Sequence, residues 1–227
     1  KLLNVKNSIF IGNLKFAAEI NADDIKDNNS FYLSQQKIWC ASSTHEGEEI
    51  FCLKTHINLK KEYKSIITII IPRHIVRSHK IKLLCDKLNL KSQILEKGDL
   101  IHEGKEILII NTFGDLLKYF KYSKSVFIGK SFLKKLKLVG GQNPIEAAKL
   151  GCKVYYGPYV YNFKEIYDLL DSHKISEKVE NEKELSKKIM IDLQSPKLSH
   201  NKATESISNL GKQILENSIK EISKILR

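Results

Sequence analysis

The absences in this sequence narrow its function before any motif is read. Among its 227 residues the longest apolar run, Ile66 to Ile71, is broken by Thr68 and is far too short to cross a bilayer. No charged-then-apolar signal segment opens the chain. Cysteine is sparse: Cys40, Cys52, Cys85 and Cys152 stand far apart with no CxxC pair, which predicts buried reduced thiols in a cytoplasmic compartment rather than disulfides or zinc. His45, His56, His74, His79 and His102 show no HxxxH or HExxH spacing, so no metal site is expected. The formal net charge is nevertheless +12, which favours phosphate-bearing surfaces, whether nucleic acid, anionic lipid or nucleotide. RNP-like aromatics, zinc-finger spacing and arginine-rich blocks are all missing and the lysines scatter along helical faces, so no nucleic-acid partner is expected.

What is present reads as alternating β and α. Short apolar runs bounded by polar or Gly/Pro punctuation predict strands at Lys37 to Ala41, Ile66 to Ile71, Ser92 to Leu95, Glu106 to Ile110, Ser125 to Ile128 and Lys153 to Tyr156. Helical patterns fall between them at Gly47 to Leu59, His74 to Leu88, Asp115 to Tyr122 and Pro144 to Leu150, with another at Phe163 to Asp171. The alternation predicts an α/β fold with a doubly wound parallel sheet. Residues 1–35, with the polar cluster Asn21 to Ser30, read as linker and remnant of an interdomain region, and 36–195 as the nucleotide-binding domain. After the break at Ser195 to His200, residues 196–227 carry an amphipathic helix, Ala203 to Leu226, that packs on the domain or on a neighbour, or binds a membrane or partner. The chain begins at Lys1 rather than Met, and Phe10 to Phe16 reads like the end of a preceding unit. A C-terminal piece is therefore expected, with an upstream half that could carry an anchor.

The chemistry sits where strands end. In Gly140-Gly141-Gln142-Asn143-Pro144-Ile145-Glu146, two glycines permit close approach, Asn can cap, Pro suits a first helical position and Glu follows two residues on. Such a turn either receives a phosphate or is an ordinary capped helix. Ser43 and Thr44, in the hydroxyl-rich stretch Ala41 to Glu49, can grip a phosphate or sugar, or merely cap a helix. Arg73 in Pro72-Arg73-His74 offers a fork of donors, or pairs with Glu46 or Glu48. Asn111 to Asp115 and Gly129-Lys130-Ser131 follow two further strands; Phe113 there lies against a flat base or belongs to the core. Glu146 can accept both hydroxyls of a ribose, or serve as a dipole-stabilising surface carboxylate.

Taken in order, WCASSTHEGEE (Trp39 to Glu49), PRH (Pro72 to His74), the Gly114 turn, GGQNPIE (Gly140 to Glu146) and GPYVYNFKEI (Gly157 to Ile166) resemble the C-terminal half of 3-deoxy-D-manno-octulosonic acid (Kdo) transferases. The resemblance runs over roughly residues 10 to 195. It implies the C-terminal, Rossmann-like domain of a glycosyltransferase B fold that binds CMP-Kdo as donor substrate, with no cofactor. It further implies inverting transfer of Kdo to a lipid A precursor in lipopolysaccharide biosynthesis, at the cytoplasmic face of the inner membrane, whose anionic surface the basic chain would meet as a partner. By the same resemblance the catalytic base is a carboxylate of an N-terminal acceptor domain, so no catalytic residue is expected in this chain. Donor-binding roles carry over to Ser43, Thr44, Arg73, Phe113, Gly140, Gly141, Gln142, Asn143 and Glu146: Arg73 and the amides of 140–143 on the phosphate, Glu146 on the ribose, Phe113 beside cytosine. The chain departs from the family's pattern at Gln142 and Tyr159, where His is usual, and at Lys130, where Gly is usual. It also carries an extra basic stretch, Lys134 to Leu138. The alternatives are a sugar-nucleotide epimerase or another B-fold transferase with a UDP or GDP donor, or a non-catalytic nucleotide- or lipid-binding remnant.

Overall fold

A computed structural model describes residues 8–9, 11–20, 25, 27–197 and 202–225. Its centre is one sheet of seven parallel strands: β1 (Ile38–Thr44), β2 (Ile67–Pro72), β3 (Ser92–Leu95), β4 (Ile107–Ile110), β5 (Ser125–Ile128), β6 (Lys153–Tyr156) and β7 (Ser176–Lys178). The spatial order is β3-β4-β2-β1-β5-β6-β7, so the winding direction reverses between β1 and β5. In open sheets of this kind the crevice beyond the strand ends at that reversal is where ligands bind.

The central strands are buried on both faces, which is why they read as unbroken apolar runs. Alternate residues still divide between two cores. Cys40, Ile69, Leu108, Val126 and Val154 face one side, and Trp39, Ile70, Ile109, Phe127 and Tyr155 the other. On the second side pack α2 (Glu48–Lys60), α3 (Ser78–Lys87) and α7 (Glu182–Gln194). On the first lie α4 (Leu116–Tyr122), α5 (Ile145–Lys149), α6 (Lys164–Ser172) and α8 (Lys202–Ile225), with the short α1 (Ser30–Ser34) contributing Leu33. The four cysteines are buried and unpaired. No described helix is long and apolar enough to cross a membrane.

Three elements were not anticipated. The edge strand β7 holds only Ser176, Glu177 and Lys178, with no apolar run to announce it. Helix α7 was overlooked although Asn181 caps it through Glu184 N (2.9 Å) and Leu185, Ile189 and Leu193 recur at helical spacing. Within residues read as linker, α1 is held by Asn29, whose Nδ2 donates to Asp99 O and whose Oδ1 accepts from Ile101 N, each at 2.9 Å. Part of that predicted linker, residues 1–7, 10, 21–24 and 26, lies outside the described residues, as do 198–201 of the predicted break. Elsewhere boundaries shift: β1 runs on through Thr44, and α3 begins at Ser78 after a separate 3-10 turn, Ile75–Arg77.

Candidate functional site

All strands are parallel, so the segments after β1, β2, β4, β5 and β6 emerge on one edge of the sheet. The segment after β1 starts inside the strand itself. Ser43 takes a left-handed conformation (φ 56°), and the register with β2 slips there, from Ser42 opposite Ile71 to Thr44 opposite Pro72. Just beyond the neighbouring strand β5, Lys130 is also left-handed (φ 56°). Two non-glycine residues so placed, one on each side of the sheet's reversal, are backbone outliers of the kind that ligand sites retain.

Glu48 locks these two segments together. Its carboxylate is fully buried and accepts four backbone N–H bonds: Oε2 from His45 (2.9 Å) and Lys130 (2.7 Å), Oε1 from Ser131 and Phe132 (both 2.9 Å). Gly129 must be glycine here, since a Cβ would stand 2.6 Å from Ser43 O and 2.7 Å from Thr44 Cα. The next carboxylate, Glu49, takes a two-bond fork from Arg77 (2.8 and 3.2 Å), which also reaches Glu46 at 3.2 Å. Arg77, not Arg73, is therefore the arginine that pairs with this acidic turn. The Arg73 backbone N–H donates to Thr44 O (3.0 Å), while its exposed guanidinium has no carboxylate partner among the described residues. Thr44 Oγ1 is buried and also without a hydrogen-bond partner.

The GGQNPIE segment closes the other side. Gly140 is needed for contact with protein backbone rather than for approach to a ligand: a Cβ would lie 2.2 Å from Tyr159 O and 2.9 Å from Lys130 O. Gly141 has φ 96° and donates to Lys130 O at 2.6 Å. Asn143 Oδ1 accepts from Ile145 N (3.2 Å), capping α5, and the Gln142 carbonyl accepts from the Tyr167 hydroxyl (3.1 Å). The GPYVYNF segment supports it from below. Asn162 donates its backbone N–H to Gly140 O (3.0 Å) and Nδ2 to Val139 O (2.9 Å), and Tyr159 N donates to Ser131 O (2.8 Å). Glu146 is half-buried, and no described group bonds or pairs with its carboxylate.

Ser43, Thr44, Arg73 and Gly140 to Asn143 are thus linked through one chain of hydrogen bonds, with Glu146 a turn into α5. Phe113 is not part of it. It lies beyond β4, two strands from β1, and is 77 % exposed, so the core alternative for this residue does not hold. Sequence reasoning named Glu48 only as a possible partner of Arg73, Lys130 only within a strand-end turn and as a departure from the family's pattern, and gave His45 and His74 no site role. The two imidazoles meet edge to face, 5.8 Å between centroids, on the wall of a 490 Å³ cavity that Arg77, Lys80 and Lys135 also line. Burial lowers the His45 pKa below its ordinary 6.5, Lys130 and His74 push the same way, and the bond to Ser43 O together with Glu48 opposes. Lys80, Lys130, Lys135 and Arg73 outweigh Glu46 along this edge, which gives it a cationic character that can attract an anion.

No known family profile matches the chain. Curated proteins do. It is 28 % identical over 162 residues to the 3-deoxy-D-manno-octulosonic acid transferase of Haemophilus influenzae, covering 70 % of this chain and 37 % of that protein. To the Aquifex aeolicus transferase of the same name it is 28 % identical over 189 residues, 83 % of this chain and 49 % of the relative. The chain spans less than half the length of either. Among solved structures it superimposes on the C-terminal CMP-Kdo binding domain of WaaA from Acinetobacter baumannii with a TM-score of 0.67 and 23 % identity, over 82 % of this chain and 93 % of that one. The fold is that of the C-terminal domain of a glycosyltransferase B fold. In sequence the chain is thus a relative of the 3-deoxy-D-manno-octulosonic acid transferases, and in architecture it is the counterpart of the WaaA C-terminal domain.

Proposed function

We propose that this chain is the donor-binding part of an inverting Kdo transferase, holding CMP-Kdo while a separate acceptor domain supplies the base and the lipid A precursor, at the cytoplasmic face of the inner membrane. Residues 36–195 form the donor-binding unit in this reading. The observation that carries it is the exposed guanidinium of Arg73, left without a carboxylate partner among the described residues on a backbone bonded to Thr44 at the strand ends.

In this reading Arg73, with Lys130 beside the same crevice, meets the CMP phosphate. As the glycosidic bond breaks, negative charge grows on that phosphate, and fixed cations favour the leaving group most at that moment. The amides of Lys130, Ser131 and Phe132 do not serve the phosphate, because Glu48 already occupies them. In this reading the side-chain cations share the task with the amides of Gly140, Gln142 and Asn143. Glu146, whose carboxylate no described group bonds, accepts the ribose hydroxyls in the same reading.

Calorimetric titration with CMP and with UDP tests the assignment. CMP is expected to bind and UDP to bind at least tenfold more weakly, and Arg73→Ala to weaken CMP by about 10- to 100-fold through loss of a charge-assisted contact. Equal affinity for the two nucleotides, or an unchanged Arg73→Ala, would remove the proposal.

A further inference from the structure

Next to the candidate donor site, the connection from β5 to α5 holds apolar side chains out into solvent among lysines. Lys134–Leu136 makes a single 3-10 turn with Leu136 buried, after which Leu138 and Val139 are 72 % and 50 % exposed. The exposure is built into the structure. Val139 N donates to Leu136 O (3.1 Å) and Asn162 Nδ2 donates to Val139 O (2.9 Å), so the segment is pinned to both neighbours. Tyr161, 68 % exposed, precedes that Asn162. Val76, 82 % exposed, lines the 490 Å³ cavity together with Lys80, Lys135 and Leu136. Lys80, Lys134, Lys135 and Lys137 form no ion pair among the described residues.

Four exposed apolar side chains beside four lysines with no ion pair among the described residues have the composition of a bilayer interface, where apolar groups enter the headgroup–acyl boundary and lysines meet lipid phosphates. A protein partner fits less well, because lysine is depleted from protein interfaces. A polynucleotide would leave Leu138, Val139 and Val76 unused. We propose that this patch seats the chain on an anionic phospholipid surface, with Leu138 and Val139 entering the interface. Its biological sense rests on the donor-site reading, since it would hold the mouth of that site at the membrane that carries a lipid acceptor; the binding itself does not.

Flotation of the 227-residue chain with vesicles of phosphatidylcholine, alone or mixed with phosphatidylglycerol, measures the partition. Binding is expected only to the anionic vesicles and should fall with added salt. At about 1 kcal/mol per lysine, Lys134→Gln with Lys137→Gln should lower the partition roughly 30-fold. The charge-matched pair Lys64→Gln with Lys91→Gln, exposed on the opposite edge of the sheet, should change it far less. Leu138→Trp adds a reporter beside the buried Trp39, and its emission should shift to the blue on anionic vesicles alone. Equal losses from the two double variants would reduce the effect to net charge, and an unshifted Leu138→Trp would remove insertion; either overturns the proposal. So would binding of poly(U) that the Lys134/Lys137 pair abolishes. Titration of CMP into the Lys134→Gln, Lys137→Gln variant separates the two readings, because CMP binding should persist where vesicle binding is lost.

Discussion

At the scale of single residues, Glu48 shows how one buried carboxylate can tie two distant segments of backbone together. A buried anion with no cation beside it is tolerated because four N–H groups point at it, and those groups in turn depend on it. Glu48→Gln keeps one acceptor oxygen and replaces the other with a donor, which faces two N–H groups it cannot satisfy. At roughly 1–3 kcal/mol for each orphaned donor, a loss of about 2–4 kcal/mol is expected in urea unfolding. Amide exchange should quicken at His45 and Lys130 or at Ser131 and Phe132, whichever pair meets the new NH2. A change below about 1 kcal/mol would mean that the two segments do not depend on this carboxylate. None of this was legible beforehand. The stretch THEGEE showed acidic residues in a first turn, whereas three of the four partners of Glu48 lie more than eighty residues away and became visible only once β1 and β5 stood side by side. Arg73 and Arg77 present the same difficulty. Both follow β2, and only the geometry shows that Arg77 is held by Glu46 and Glu49 while Arg73 is left unpaired.

At the scale of elements, the opposite edge of the sheet is fastened by a network that joins four of them. Glu106, just before β4, accepts from Lys91 N ahead of β3 (2.7 Å), pairs with Lys60 of α2 and lies 3.5 Å from His56 Nε2. His56 Nδ1 in turn meets Thr68 Oγ1 of β2 at 2.8 Å. Burial alone would raise the Glu106 pKa, yet the bonds from His56, Lys60 and the Lys91 amide outweigh it and bring the carboxyl from its ordinary 4.5 to about 2. The sign follows from the lowered value: the stabilisation is fully present above about pH 4.5 and is lost as pH falls towards 2. It amounts to roughly 3 kcal/mol. Glu106→Gln should therefore unfold at lower urea than the unaltered chain at pH 6, and the gap should narrow below pH 4.5 and nearly close by about pH 2. A gap constant with pH would show that packing, not ionisation, is what Glu106 supplies. Elements differ in how openly the sequence declares them. The buried strands β2, β4, β5 and β6 were readable because sheets covered on both faces demand continuous apolar runs. The edge strand β7 was not, since three residues paired on one side need no such run.

At the scale of the whole molecule, the two ends of the described chain meet on the face that carries α5. The 3-10 turn Leu14–Phe16 and α8 pack together, with Phe16, Ile207 and Ile214 buried in the same core as Ile145 and Ala148 of α5. Lys149 of α5 donates to the carbonyls of Phe16 and Ala18. With five residues, α5 is too short to persist on its own, so its position, and that of Glu146 on it, is set by what packs around it. Gly211 permits this closure: a Cβ there would lie 2.0 Å from Phe16 O and 2.6 Å from Phe16 C. Two effects compete in Gly211→Ala. Alanine favours the helix by about 1 kcal/mol, while overlap with rigid backbone costs about 1–3 kcal/mol or forces α8 to shift. The contact is with main chain rather than a movable side chain, so the second effect should win. Hydrogen exchange along α8 is expected to quicken, and CMP affinity to fall several-fold as the proposed ribose end of the site loosens, with the Arg73 end intact. Faster exchange in α8 with an unchanged CMP affinity would instead mean that Glu146 is positioned by Ile145, Ala147 and Ala148 in the core, without help from the clasp of the two chain ends.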